Sequence, residues 1–162
     1  MIIIKWLSWW KTIPLVIMAF AALMIILSVS CRGAGKKPPG VVNGSLVNCP
    51  GSPNCVCSQD DDEDHRVNPL SLKGTPSQSM SALIEMLKEF PRTKVIKQTN
   101  DYLHVEFRTK MFRFIDDVEF LIDEDDGVIH IRSSSRVGYS DFGVNKKRVE
   151  KIREKWNDTD IP

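Results

Sequence analysis

Three short segments alternate apolar and polar residues with a period of two. This alternation limits the folded part of the chain to a sheet with two unlike faces. Tyr102 to Arg108 puts Leu103, Val105 and Phe107 on one side and Tyr102, His104, Glu106 and Arg108 on the other. Val118, Phe120 and Ile122 repeat the period. Ile129 and Ile131 rejoin it after Asp126-Gly127, a dipeptide that favours the positive φ of hairpin turns. A two-residue loop there predicts Ile122 opposite Ile131 and Leu121 opposite Arg132. A shorter strand, Lys94 to Thr99, ends at the turn signal Asn100-Asp101. The polar face, with Tyr102, His104, Glu106, Glu119, His130 and Arg132, is of a kind that an antiparallel sheet leaves wet.

Two helical patterns flank the strands. Thr75-Pro76-Ser77-Gln78 reads as a cap, a proline at the first helical position and a glutamine three residues after the cap. Met80, Leu83, Ile84, Leu87 and Phe90 then form one apolar stripe, and Pro91 ends it. A last helix from about Asn145 to Trp156 buries Val149, Ile152 and Trp156. Short links predict an α+β fold: an antiparallel four-stranded meander with two helices packed on one face, preceded by an N-terminal hydrophobic helix.

That N-terminal element is Thr12 to Ser30, 19 residues without a charge, following Lys5 and Lys11. Three readings fit it. Leu27-Ser28-Val29-Ser30-Cys31 suits a lipoprotein signal, with lipid on Cys31 and loss of residues 1–30. The run also has the roughly 20 residues that an uncleaved span needs, and it is long for the usual signal core. Ordinary cleavage and release is the third reading. For an uncleaved span, Arg32, Lys36 and Lys37 behind it oppose export of the domain. Trp6, Trp9 and Trp10 fit an interfacial aromatic belt. The expected organisation is a signal or anchor over 1–31, a flexible Gly/Pro/Asn/Ser-rich linker over 32–48, and a single α+β domain over 49–158. The expected location is the extracytoplasmic side of a bacterial envelope, tethered to the membrane.

Charge excludes one class of partner. The 162 residues carry 22 basic and 21 acidic groups. Without residues 1–30 the balance is 20 to 21, so no basic field points to nucleic acid. Cys49-Pro50-Gly51-Ser52-Pro53-Asn54-Cys55-Val56-Cys57 admits two chemistries. Cys49 with Cys55 or Cys57 closes a disulfide loop in an oxidising compartment. Alternatively Cys49, Cys55, Cys57 and His65 form a four-ligand zinc set, at a spacing that matches no standard pattern. Asp60 to Asp64 reads as a solvated acidic loop, without the pattern of a calcium loop. No cofactor motif is present: the chain has neither a P-loop nor a dinucleotide fingerprint.

Polar chemistry concentrates late in the chain. Asp116 to Asp126 holds seven acids and no base, and Arg132 to Lys155 holds eight bases and three acids. Asp116, Asp117 or Glu119 pairing with Arg132, Arg136 or Arg148 neutralises them internally. Lys146, Lys147 and Arg148, however, occupy the first turn of the last helix, where cations oppose the helix dipole. An anion bound there by Asn145, Arg132, Arg136, Arg148, Ser133 and Ser135 would relieve the conflict, as would an internal carboxylate such as Asp141. Asp116, Asp117, Glu119 and Asp141 are also oxygen donors for a divalent cation, but adjacent acids on a regular strand point apart. Gly138-Tyr139-Ser140-Asp141-Phe142 half-matches a nucleophile elbow. Ser133 to Ser135 with His104 or His130 are candidate hydrolase groups.

The stretches Cys49-Pro-Gly-Ser-Pro-Asn-Cys-Val56, Asp101-Tyr102, Phe114-Ile-Asp-Asp-Val-Glu-Phe120 and Ile131 to Glu150 resemble the family of domains of unknown function 1499, over roughly Asn48 to Trp156. The resemblance brings no biochemical activity. It implies that Asp116, Asp117, Glu119, Arg132, Ser133, Ser135, Arg136, Asp141, Asn145 and Arg148 belong to one signature. It also implies Cys49–Cys55 as the natural pair, because the family pattern has serine where this chain has Cys57. The functional expectation is a non-enzymatic, membrane-tethered module that binds an anionic small molecule or an envelope protein. The alternatives are a hydrolase built on Asp116 or Glu119, His104 and a serine, or a purely structural accessory protein.

Overall fold

The computed structural model describes Ile17 and residues 38–161. The expected N-terminal helix, the signal or anchor over 1–31 and lipidation at Cys31 lie outside the described residues, Ile17 apart. Among the described residues no helix is long and apolar enough to cross a membrane.

The order of elements is β1 (Val41–Val42), β2 (Ser45–Leu46), β3 (Cys55–Cys57), β4 (Leu70–Ser71), α1 (Pro76–Lys88), β5 (Thr93–Gln98), β6 (Tyr102–Arg108), β7 (Ile115–Asp123), β8 (Val128–Ser135) and α2 (Val144–Asn157). The α+β class and the two helices match expectation. The sheet has six strands, not four. The meander β5-β6-β7-β8 is extended by β3 and β4, which both pair antiparallel with the free edge of β8. Strands of two and three residues are too short to show a period, so alternation could not reveal them.

One apolar core lies between the sheet and the helices. Leu103, Val105, Phe107, Val118, Phe120, Ile122, Ile129 and Ile131 face Met80, Leu83 and Leu87 of α1 and Val149, Ile152 and Trp156 of α2. The capping box on α1 forms as predicted: the Thr75 hydroxyl accepts from the Gln78 N–H, and the Gln78 side chain accepts from the Thr75 N–H. The C-terminal carbonyls of α2 are held by Lys73, whose Nζ donates to Trp156 at 2.7 Å and to Asn157 at 3.0 Å.

The β7–β8 hairpin corrects the predicted register. Its loop has four residues, Glu124 to Gly127, so Ile122 lies opposite Ile129 and Leu121 opposite His130. Asp123 Oδ1 accepts from the Asp126 N–H at 3.1 Å, and Gly127 takes φ 64°, closing the longer turn. The slip is two residues, so every side chain keeps its predicted face.

The polar face is not wet. Tyr102, His104, Glu106, Asp117, Glu119 and Arg132 are all buried. Part of what covers them is the segment expected as a linker. β1 and β2 form a hairpin with Val41 opposite Leu46. Leu46 is buried with Cys57, Tyr102 and Leu121, and its N–H donates to Gln59 Oε1 at 2.8 Å. Residues 38–48 are therefore a cover on the second face of the sheet, not a free tether.

Leu46→Ala tests this cover. It should destabilise the protein by roughly 2–4 kcal/mol in urea unfolding, as a buried leucine does. A residue in a solvated tether would change stability by less than about 0.5 kcal/mol.

Candidate functional site

The alternation of β7 sorts the charged signature. Asp116, Val118, Phe120 and Ile122 point toward the helices, while Asp117, Glu119 and Leu121 point to the second face. The signature therefore divides into two networks with the sheet between them.

On the helix side, α2 brings Asn145 and Arg148 over the end of β8. Ser133 Oγ donates to Asn145 Oδ1 at 2.6 Å, and Asn145 Nδ2 donates to Ser135 Oγ at 2.9 Å and to the Asn54 carbonyl at 2.8 Å. Arg148 Nη1 donates to Ser133 Oγ and to Asn145 Oδ1, its Nη2 pairs with Asp116, and its guanidinium lies 5.1 Å above the Phe107 ring. Asp116, Ser133 and Asn145 are buried, and the amide of Asn145 uses all four of its hydrogen-bonding positions. The conflict with the helix dipole is met internally. Gly143, at the N-cap with φ 76°, has no side chain to offer. Asp141 supplies the carboxylate instead: Oδ1 accepts from the Gly143 N–H at 2.9 Å and Oδ2 from the Asn145 N–H at 2.7 Å. This half of the expected anion site is filled by the protein's own groups.

On the second face, Arg136 is the centre. Its Nε donates to Asp117 Oδ2 at 2.7 Å, and its Nη2 donates to Asp117 Oδ1 and Glu106 Oε1 at 2.6 Å each. His104 Nε2 lies 2.7 Å from Asp117 Oδ1, as a ring N–H donating to a carboxylate does. Burial alone would raise the Asp117 pKa. The hydrogen bonds from Arg136 and His104 prevail and hold the carboxyl below its ordinary value, while Asp117 raises that of Arg136. Beside this cluster, Glu119 accepts from Tyr102 Oη at 2.8 Å and from Arg132 Nη1 at 2.9 Å. Burial and then the Glu119 charge push the Tyr102 phenol up. Arg132 is buried, yet its Nε has no hydrogen-bond partner among the described residues.

Arg132, Arg136 and Ser134 line a cleft of about 600 Å³ whose opposite wall is Pro38, Pro39, Val47 and Pro50. The wall is fixed by the Cys49–Cys55 disulfide, with Cα atoms 5.6 Å apart. Its loop is also held where the Cys49 N–H donates to Asp60 Oδ2 at 2.5 Å and Asn54 Nδ2 donates to the Gly138 carbonyl at 2.5 Å. Asn54 was not singled out in the sequence, although it stands within the Cys49–Val56 motif. Its carbonyl accepts from Asn145 and its amide donates to Gly138, so it ties the disulfide loop to the helix-side network and to the β8–α2 loop.

The structure also removes groupings that spacing allowed. The disulfide consumes two members of the four-ligand zinc set, and His65 Nδ1 lies 2.9 Å from the Cys55 carbonyl. Cys57 is free and buried, and burial pushes its thiol up. Asp116 and Asp117 point apart, so Asp116, Asp117, Glu119 and Asp141 do not converge on one cation. Ser133 and Ser135 lie on the face opposite His104, while Ser134 shares the face of His104 and Glu119. Neither His104 nor His130 is a surface histidine; His104 is buried and His130 is half-buried against Ser58, its Nδ1 3.2 Å from the hydroxyl. Among the described residues, Asp123, Asp126 and His130 bring one ligand atom each within 4.8 Å of one another.

A family model matches this α+β domain over residues 45–156, and the chain belongs to that family, described as protein of unknown function (DUF1499). Among curated proteins none matches the chain significantly.

Two predictions follow from the Arg136 cluster. Arg136→Met removes the guanidinium that holds buried Asp117 and leaves Glu106 only its longer pair with Arg108, and should cost roughly 3–5 kcal/mol in urea unfolding. Asp117 also sets an acid limb. Its folded carboxyl titrates below the ordinary 3.8, so its contribution is full well above that pH and is lost as the pH falls through the lowered folded value. In wild type, stability should therefore fall more steeply in that acid window than in Asp117→Asn, as read by thermal melts across pH.

Proposed function

We propose that the protein is a membrane-tethered, extracytoplasmic binding module that holds the anionic or acceptor end of a small envelope ligand in the cleft above Arg132 and Arg136. The observation that carries this reading is Arg132. It is a guanidinium that pairs with Glu119 through Nη1 and lines an open cleft beside Arg136. Two guanidinium groups in one cleft wall suit the carboxylate or phosphate oxygens of a ligand. The proline and valine wall suits an apolar portion of the same ligand. The disulfide is consistent with an oxidising compartment, and the uncharged run Thr12 to Ser30 supplies the tether, by lipid on Cys31 or by an uncleaved span.

The test is a thermal-shift screen of phosphate, glycerol phosphate and acyl carboxylates against wild type and Ser134→Leu. The leucine fills the cleft and removes none of the charged groups that line it. A ligand that raises the wild-type melting temperature and not that of Ser134→Leu supports the module. Equal shifts in both proteins, or no shift with any compound, would leave the signature as a structural network.

A further inference from the structure

One end of the sheet carries a feature that neither network uses. The loop between β6 and β7 exposes Met111 (81%) and Phe112 (62%), with Phe112 stacked on Phe114 at 5.4 Å between ring centres. The β8–α2 loop emerges at the same end, where the Arg136 N–H donates to the Ile115 carbonyl, and it exposes Phe142 (90%). Arg113 and Phe142 both take left-handed φ, 57° and 55°, an uncommon conformation for bulky residues. Arg108 to Phe114 contains three bases and no acid. Arg92 adjoins it, its Nε donating to the Arg108 carbonyl at 3.1 Å. Arg92, Lys110 and Arg113 make no ion pair among the described residues. Lys146 and Lys147 lie beside Phe142 at the start of α2. The opposite end of the same strands is acidic: Asp123 to Asp126 turn there, and the Asp101 carbonyl accepts from Ile122.

We infer that this aromatic and basic end is a second membrane contact, in which Met111, Phe112 and Phe142 enter the interface of an anionic bilayer while Arg92, Lys110 and Arg113 meet its headgroups. Apolar side chains ringed by unpaired cations are the chemistry of an anionic lipid surface. The path of the chain sets the same orientation, a point that rests on the tethering reading above. Pro38 lines the cleft together with Ser135 and Arg136, so the chain enters the folded domain next to the aromatic end. Only residues 32–37 separate Cys31 from it, a reach of at most about 25 Å at full extension. The nine residues of β7 span about 30 Å, so turning the acidic end to the membrane would exhaust that reach. The acidic run Asp60 to Asp64 borders the Tyr139 side, where Asp62 and Asp64 share a hollow with Lys146. The contact is therefore centred on the β6–β7 loop.

The experiment uses the full chain reconstituted in vesicles of phosphatidylcholine with phosphatidylglycerol, containing lipids brominated near the headgroup. Phe112→Trp and Phe142→Trp report on the contact, Asp125→Trp reports on the acidic end, and the wild-type emission is subtracted from each. The expected result is strong quenching of the indoles introduced by Phe112→Trp and Phe142→Trp, none for Asp125→Trp, and loss of the Phe112→Trp quenching when Lys110→Glu and Arg113→Glu are added. Flotation with the vesicles after an alkaline wash reads the tether separately. A chain that floats while the Phe112→Trp indole is quenched no more than the Asp125→Trp indole overturns the contact and leaves the tether standing. A chain that fails to float overturns the tether. Quenching of Phe112→Trp that survives in pure phosphatidylcholine and with both reversed charges overturns the anionic-lipid assignment. Shielding of that indole from iodide in native membranes, without quenching by brominated lipid in vesicles, assigns the surface to a protein partner and also overturns it.

Discussion

Both faces of β7 are buried, and both carry acids. Asp116 faces the helices, Asp117 and Glu119 face the covering segment, and all three are almost wholly out of water. A carboxylate removed from water must be paired and hydrogen-bonded, or the fold loses several kcal/mol for each. The rest of the architecture meets that demand. α2 delivers Arg148 to Asp116, the end of β8 delivers Arg136 to Asp117, and β6 delivers Tyr102 to Glu119. The partners lie between 17 and 32 residues away along the chain, so the pairs form only in the correctly registered fold.

The covering segment turns one of these networks into the wall of a cleft. On the helix side Asn145 and Asp141 close the network with the protein's own groups. On the other side the disulfide loop and the prolines stand over Arg132 and Arg136 without contacting all of their donors. The difference lies in what covers each face. A helix packs side chains closely onto a sheet, whereas a proline-rich segment with a short hairpin follows its own backbone preferences and leaves space.

Much of the frame was legible from local physics. The capping box at Thr75, the apolar stripe to Phe90 and the alternation in β6 to β8 each reflect interactions within a few residues, and all formed where expected. The family signature also named Asp116, Asp117, Glu119, Arg132, Arg136, Asn145 and Arg148 together. Spacing did not reveal that Ser133, Ser135, Asn145 and Arg148 serve one face while Arg132 and Arg136 serve the other. Nor did it reveal Asn54, whose role depends on its backbone carbonyl, an atom that residue type does not report. The hairpin length was misjudged because Asp126-Gly127 suits both a two-residue turn and the end of a four-residue one.

Sequence alone determined the α+β class, the two helices, the central strands and which residues share a side of them, because period and capping are local properties of the chain. Only the tertiary structure decided what becomes of the polar side. Its alternation is the same whether the face meets water or protein. The outcome depended on Leu46 and the segment around it, whose burial beneath no recognisable period makes a solvated-looking face into an interior.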